Sequence, residues 1–301
     1  MTLVPHLVQY QGSKRHLAPK ILKYIPAKFN TFIEPFAGMA AMSIATASQH
    51  RAKHYYINDI NEPLLNLLKA AIENPIGLYE DYKTIWNEQF TFQPDHFSHY
   101  NFIRDKFNLG NTCPSYMLYL LARCVKGAVR YNSDGIFNQG MDKRRHGTSP
   151  ETIENNALLI SNLLKGKVSY SAVDYREVLE KASSGDIVYM DPPYQGVSNT
   201  RDCRYYSGID HEDFIVALDS LNKRNIDYLV SYDGKCGDTS YGKDLPKELN
   251  CIKILLNAGK STQATFLGKT KTTYEALYVS HGLHELVEKN KELLLFGESN
   301  E

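Results

Sequence analysis

Apolar positions at helical spacing run from His16 to Ile25 and stop at Pro26, which predicts a short N-terminal helix. Thr31-Phe32-Ile33-Glu34 then reads as a short strand that ends in an acid and runs into Pro35-Phe36-Ala37-Gly38. Ala40 to Ser48 is rich in small helix formers. Tyr55-Tyr56-Ile57-Asn58-Asp59 reads as a second strand closed by an acid, and Glu62 to Ile72 as an amphipathic helix. Strand, turn, helix, strand and acid in succession make half of a doubly wound α/β sheet.

The rhythm breaks between Asn74 and Lys165. That stretch is aromatic-rich, carries several helical patterns and holds a Gly- and Asn-containing basic segment, so residues 74–165 are expected to form an inserted, mostly helical subdomain. The α/β pattern then resumes. Lys167 to Ser171 is a strand candidate followed by Asp174, and Asp186 to Met190 is a buried-strand candidate followed by Asp191-Pro192-Pro193-Tyr194. His211 to Asn222 reads as a helix, Tyr228 to Tyr232 as a strand and Glu275 to Val279 as the last strand. The sheet domain is thus expected to be discontinuous, residues 1–73 and 166–285. The charged tail beyond Gly282, with 286–301 outside the domain, is expected to fray.

Composition narrows the setting more than the chemistry. The chain is 43% hydrophobic and 23% charged, ordinary for a globular protein, and no window approaches the ~18 apolar residues of a membrane span. The N-terminus lacks a basic segment followed by an apolar run, so a cytoplasmic protein is expected. Five scattered cysteines without a Cys-x-x-Cys pair argue against a disulfide framework or a zinc site, and no metal is expected. Net charge is zero, so any case for nucleic acid rests on local charge. Between Arg123 and His146 stand six cations (Arg123, Lys126, Arg130, Lys143, Arg144, Arg145) against two acids. On its own that run reads as a solvated loop.

Asp191-Pro192-Pro193-Tyr194 is the strongest chemical signal. It closes an apolar strand, where ligands bind in open α/β sheets. Its prolines donate no hydrogen bonds, so the turn presents two acceptors, the Asp191 carboxylate and the Pro192 carbonyl, to the two N–H donors of an aromatic amine. Tyr194 adds a flat face on which a base can stack. A strand ending in a Pro-rich turn would look the same. The second signal is the passage from Phe32-Ile33-Glu34 through Pro35-Phe36-Ala37-Gly38. A strand, a tight glycine turn and a helix let a nucleoside approach the backbone, and an acid ending the next strand, Asp59, suits ribose hydroxyls. Tyr10-Gln11-Gly12-Ser13-Lys14 lacks the phosphate-loop pattern and by itself reads as a helix cap, although Lys14 could bind a carboxylate.

Taken in order, these segments resemble the Dam family (class alpha, D12) of site-specific DNA adenine-N6 methyltransferases: an N-terminal Gly-Lys motif, a Pro-Phe-x-Gly loop, a target-recognition insertion and Asp-Pro-Pro-Tyr. Arg130-Tyr131-Asn132-Ser133-Asp134-Gly135-Ile136-Phe137-Asn138 resembles the family's DNA-contacting hairpin, expected near 123–147. The likeness spans roughly residues 9–280. It implies a Rossmann-like sheet that uses S-adenosyl-L-methionine and methylates double-stranded DNA. Tyr10, Lys14, Glu34, Pro35, Phe36, Ala37, Gly38, Asp59, Ile60, Asp174, Tyr175 and Asp191 are then expected around the cofactor, and Asp191, Pro192, Pro193 and Tyr194 around the target amine. Arg130, Tyr131, Asn132, Asn138, Lys143, Arg144, Arg145, Arg201 and Arg204 are expected on DNA, with Tyr205 and Tyr206 lining the cleft. Ala40 departs from the pattern, since many members carry a second glycine there. The Gln139 to Arg145 stretch departs from the pattern of GATC-methylating members, which leaves the recognition sequence open. The resemblance also implies a place in a restriction-modification system, with a cognate endonuclease as functional partner, or a solitary or phage methylase.

Two other readings share these features. An RNA or N4-cytosine methyltransferase alkylates a similar exocyclic amine, but the Arg-Tyr-Asn hairpin and an aspartate at 191 favour adenine in DNA. A DNA-binding relative that lost catalysis would not need Lys14 and Asp191 intact.

Overall fold

A computed structural model describes residues 4–193, 209–236, 239–240, 243–260 and 272–297. Its sheet has the strand order β3-β2-β1-β4-β5-β8-β7, with the two-residue β6 (Thr239–Ser240) on β5. Strands β1 (Phe29–Glu34), β2 (Ala52–Asn58), β3 (Val168–Ser171), β4 (Ile187–Met190) and β5 (Asp227–Cys236) are parallel. β8 (Thr272–Val279) runs antiparallel to β5, and β7 (Ile252–Lys260) antiparallel to β8. β4 is buried along its whole length, as expected of a strand covered on both faces. The chain builds outward from β1 to β2 and β3, then returns to the other side of β1 with β4. That reversal puts the topological switch point between β1 and β4.

Local sequence explains where many helices begin. Asn61 caps α3 (Glu62–Glu73) with Pro63 in its first turn, Ser149 caps α7 (Pro150–Leu164), Asp174 caps α8 (Tyr175–Glu180) and Asp210 caps α9 (His211–Lys223). Between β2 and β3, α3 is followed by α4 (Pro75–Glu88), α5 (His96–Asn108), α6 (Pro114–Arg123) and a loop region that precedes α7. Leu78, Tyr82, Tyr100, Leu118 and Ile160 from these helices join one hydrophobic cluster with Phe32, Ile57 and Leu283, so the helical segment packs onto the sheet rather than hanging from it.

Three expectations change. The N-terminal helix is broken into a 3-10 turn at Lys14–His16, a four-residue α1 (Ala18–Ile21) and a second 3-10 turn at Leu22–Tyr24. β7 has no counterpart among the expected strands: its run of Ile, Lys, Ile, Leu and Leu lacks a clean alternation, and its pairing with β8 is decided across the sheet. The tail beyond Gly282 does not fray at its start. His281–Gly297 forms α10, because Leu283 and Val287, one turn apart, are buried against the core.

Candidate active site and recognition face

The carboxyl ends of β1 and β4 lie side by side at the switch point, and a cavity of about 330 Å³ opens there. Tyr10, Lys14, Glu34, Pro35, Phe36, Ala37, Gly38, Asp59, Ile60, Asp174, Tyr175 and Asp191 all line this one cavity, together with Pro192 and Pro193. They come from five separate segments of the chain, brought together by the parallel order of β4, β1, β2 and β3. Tyr194, Arg201, Arg204, Tyr205 and Tyr206 lie outside the described residues.

The glycine turn is held by the acid of the next strand. Gly38 has φ of +51°, and its N–H donates to Asp59 Oδ2 at 2.7 Å, while Asp59 Oδ1 accepts from Asn61 N–H at 2.9 Å. Burial pushes the Asp59 carboxyl above its ordinary range. A Cβ at residue 38 would stand 2.9 Å from Tyr10 Cε1, so the tyrosine ring rests on the bare glycine face. Ala40 is also left-handed, φ +51°, and fully buried. That accounts for a glycine preference there, and an alanine carries a conformational cost of about 1–2 kcal/mol.

Ala40 has no side chain with which to cap α2 (Ala41–Ser48), and Glu34 takes over the task. Its Oε2 accepts from Ser43 N–H at 3.0 Å and Ser43 Oγ at 2.5 Å. Complete burial pushes the Glu34 carboxyl up to about 8, the nearby Asp191 charge adds to the rise, and the Ser43 bonds oppose it. Asn58 ties the ends of three strands: it donates to Pro35 O (2.9 Å) and Val173 O (3.1 Å), and accepts from Ser171 Oγ (2.7 Å).

At the centre, the Lys14 ammonium is buried between two carboxylates, 2.6 Å from Asp191 Oδ1 and 3.1 Å from Glu275 Oε1. Burial pushes Asp191 up to about 6; Lys14 opposes the shift and Glu275 reinforces it. Glu275, on β8, has no signal in the sequence, because a lone acid inside a strand resembles any other. On the far side of the cavity Arg176 joins the starts of α8 and α9, donating to Asp174 Oδ1 at 2.8 Å and to Asp213 Oδ2 at 3.1 Å. The Tyr175 ring packs on Phe36 with centroids 5.1 Å apart. Tyr175 OH and Gln11 Oε1 line the cavity, are buried, and have no hydrogen-bond partner among the described residues.

The hairpin of the insertion borders the same cavity. Val129 and Tyr131 face into it, while Arg130 between them is exposed. Tyr131, expected on DNA, turns inward: its ring is buried, edge-on to Phe137, and its hydroxyl lies 3.3 Å from Asn61 Oδ1. Asn132 shapes the hairpin tip, its Oδ1 accepting from Asp134 N–H (3.0 Å) and Ile136 N–H (2.9 Å). Asn138, Lys143 and Arg144 are exposed, and Arg145 is paired with Asp142 at 2.7 Å. Arg123, part of the cationic run in the sequence, is fully buried and contributes nothing to that surface. The basic hairpin therefore stands on the rim of a cavity whose floor offers hydrogen-bond acceptors.

Residues 10–261 match the family described as D12 class N6 adenine-specific DNA methyltransferase. The chain belongs to this family. Like other D12 members it is an adenine-specific DNA methyltransferase, of a class that depends on S-adenosyl-L-methionine. It is 27% identical over 273 residues to the type II methyltransferase M1.LlaDCHI of Lactococcus lactis subsp. cremoris, covering 87% of this chain and 91% of that one. It is 27% identical over 203 residues to the DNA adenine methylase of Serratia marcescens, covering 66% and 70% of the two chains. To the DNA N-6-adenine-methyltransferase of Escherichia phage P1 it is 26% identical over 246 residues, 76% of this chain and 30% of that one. Among the described residues no helix is long and apolar enough to cross a membrane.

Proposed function

We propose that the cavity at the β1–β4 switch point binds S-adenosyl-L-methionine beside a flipped adenine of double-stranded DNA, and that Asp191 and the Pro192 carbonyl receive the adenine amino group. The observation that carries this reading is the convergence of Lys14, Gly38, Asp59 and Asp191 on one cavity beneath a basic hairpin. The residues present suit the cofactor. The cavity is large enough for a small ligand, and Gln11 Oε1 and Tyr175 OH, without a hydrogen-bond partner among the described residues, offer an acceptor and a hydroxyl to a polar nucleoside. Asp59 keeps acceptor capacity for ribose hydroxyls, Phe36 and Ile60 offer apolar surface to the base, and the carboxylate-rich centre suits a cation. When bound, S-adenosyl-L-methionine supplies an electrophilic methyl group carried on a sulfonium.

The protein's own part is to position and to exclude water. Extruding a base costs a few kcal/mol, offset by contacts to DNA. Asp191 and the Pro192 carbonyl accept the two amino N–H bonds, which turns the nitrogen lone pair towards the methyl side of the cavity. As that nitrogen gains positive charge, the ionised Asp191 stabilises it more than it stabilised the ground state. Tyr194 is assigned the stacking face. Arg130 is assigned a base or phosphate contact, Lys143, Arg144 and Arg145 phosphate contacts, and Asn132, Asn138, Arg201 and Arg204 further contacts to DNA. A cytoplasmic setting and a cognate restriction endonuclease as functional partner complete the reading; both rest on the likeness to a type II methyltransferase. The same reading divides the chain into a sheet domain (1–73 and 166–285) and a recognition insertion (74–165).

Incubation with labelled cofactor and either DNA or RNA, followed by nucleoside analysis, tests the substrate. Label in N6-methyladenine from DNA is the expected result, and label in N4-methylcytosine or only in RNA would refute it. Two further outcomes follow. Protonation removes the acceptor, and Asp191 is faced by Lys14, Glu275, Glu34 and Tyr189, so kcat/KM should fall as pH drops through about 6. A flat profile from pH 5 to 7 would remove Asp191 from the chemistry. On the hairpin, Arg144→Ala should lower the slope of log affinity against log salt by about one, and Arg145→Ala by less, because Asp142 already neutralises Arg145. Equal slopes in a salt titration would contradict the assignment.

A further inference from the structure

The Lys14 ammonium touches two carboxylates that differ in position. Asp191 lines the cavity, whereas Glu275 is not among the lining residues and reaches Lys14 from behind, on β8. Both are largely buried, with side chains 20% and 15% exposed. In the reading above, on which this inference rests, Asp191 must turn an oxygen to the target amino group. If Lys14 depended on Asp191 alone, that exchange would strip a buried cation of its partner, a costly step in a low-dielectric site. Two nearby groups are engaged elsewhere: Glu34 is bonded to Ser43, and the Tyr189 hydroxyl to Ser231 at 2.7 Å. Among the described residues, Glu275 is the other carboxylate within ion-pair distance of Lys14.

We propose that Glu275 is a positioning residue that holds the Lys14 ammonium behind the acceptor pair, so that Asp191 can exchange its bond to Lys14 for one from the target amine. The ion pair that remains, Lys14 with Glu275, keeps the cation satisfied while the base is docked. Glu275 touches neither reactant; it acts through Lys14.

Glu275→Gln tests this in the full-length enzyme with its DNA substrate and saturating S-adenosyl-L-methionine. The single-turnover methylation rate should fall at least about tenfold while the DNA Kd changes less than about twofold, since the loss lies in docking the base and not in holding the duplex. The acid limb of the pH profile should also move to lower pH, because Asp191 loses a repelling charge and keeps Lys14 to itself; a merely structural defect would leave the limb in place. A wild-type rate overturns the proposal, and so does a slow variant whose acid limb stays put. Should the glutamine variant fail to fold, Glu275→Asp carries the rate and Kd comparison alone, since a carboxylate withdrawn by one methylene loosens its hold on Lys14 but keeps the charge that faces Asp191. The two readings fail separately. If Asp191→Ala still methylates, the active-site assignment falls; if Asp191→Ala is dead and Glu275→Gln is normal, only the role of Glu275 falls.

Discussion

Replacing Asp191 by alanine should abolish methyl transfer, slowing the single-turnover rate by at least about a thousandfold while leaving duplex affinity within about threefold of the parent. The reason is local. Asp191 follows the buried strand β4, and its neighbours Pro192 and Pro193 contribute no donors, so the carboxylate is the anionic half of the proposed acceptor pair. Its removal takes away an acceptor for the amino N–H and the negative charge that opposes the cation forming on nitrogen. It also leaves Lys14 with Glu275 as its remaining carboxylate within ion-pair distance among the described residues, and leaves the ammonium facing the cavity proposed to receive a cationic cofactor. Cofactor affinity should therefore weaken as well. Asp191→Asn, which keeps the shape and one oxygen but loses the charge, should fall between the two. DNA contacts are assigned to the hairpin and not to this turn, so a filter-binding or anisotropy titration should show the duplex still held. Retained methylation in a rapid-quench experiment would refute the role.

The second large effect is expected at a residue with no chemistry of its own. Gly127, which precedes the Arg130 hairpin, has φ of +61°, and a Cβ there would lie 2.1 Å from Gln9 O and 2.7 Å from Gln9 C. Its carbonyl accepts from Gln11 N–H at 2.9 Å. The hairpin backbone is thus seated on the segment that carries Tyr10, Gln11 and Lys14 into the cavity. A rotamer change cannot relieve a clash with backbone. Gly127→Ala must either displace the N-terminal segment from the cavity or lift the hairpin from its rim. Left-handed strain and overpacking together should cost about 2–5 kcal/mol of stability. Transfer should fall at least about a hundredfold through misplacement of Lys14, even at temperatures where the chain remains folded. Gly140→Ala, a short way along the same hairpin region, is the control: a Cβ there would meet no atom within 4 Å, and the variant should behave as the parent. If thermal melts and rates of the Gly127 variant match those of the Gly140 variant, the coupling of hairpin to cavity is wrong.

Local physics makes much of this protein legible from its residues in order. β1, which ends at Glu34, and β2 and β4, which run into Asp59 and Asp191, announce themselves by apolar runs, and α3 and α9 by their helical pattern, because such patterns depend on neighbours a few residues away. The Asp191 turn and the Arg130 hairpin are visible for the same reason: their chemistry is contiguous. Tyr131 turns inward against expectation because alternation shows which residues share a face and does not reveal which face looks inwards. Arg123 misleads because a cation's charge is written in the sequence and its burial is not.

Residue order alone shows the five parallel strands, helices α3 and α9, the Asp191 turn and the residue types that a methyl transfer to an amine requires. The tertiary structure alone decided their meeting. Lys14 lies 177 residues from Asp191 in the chain, and Glu275 sits on an antiparallel strand added beyond the parallel set. The order of strands brings them within reach of one ammonium. That order follows from packing summed over the whole core, which no local window of residues contains.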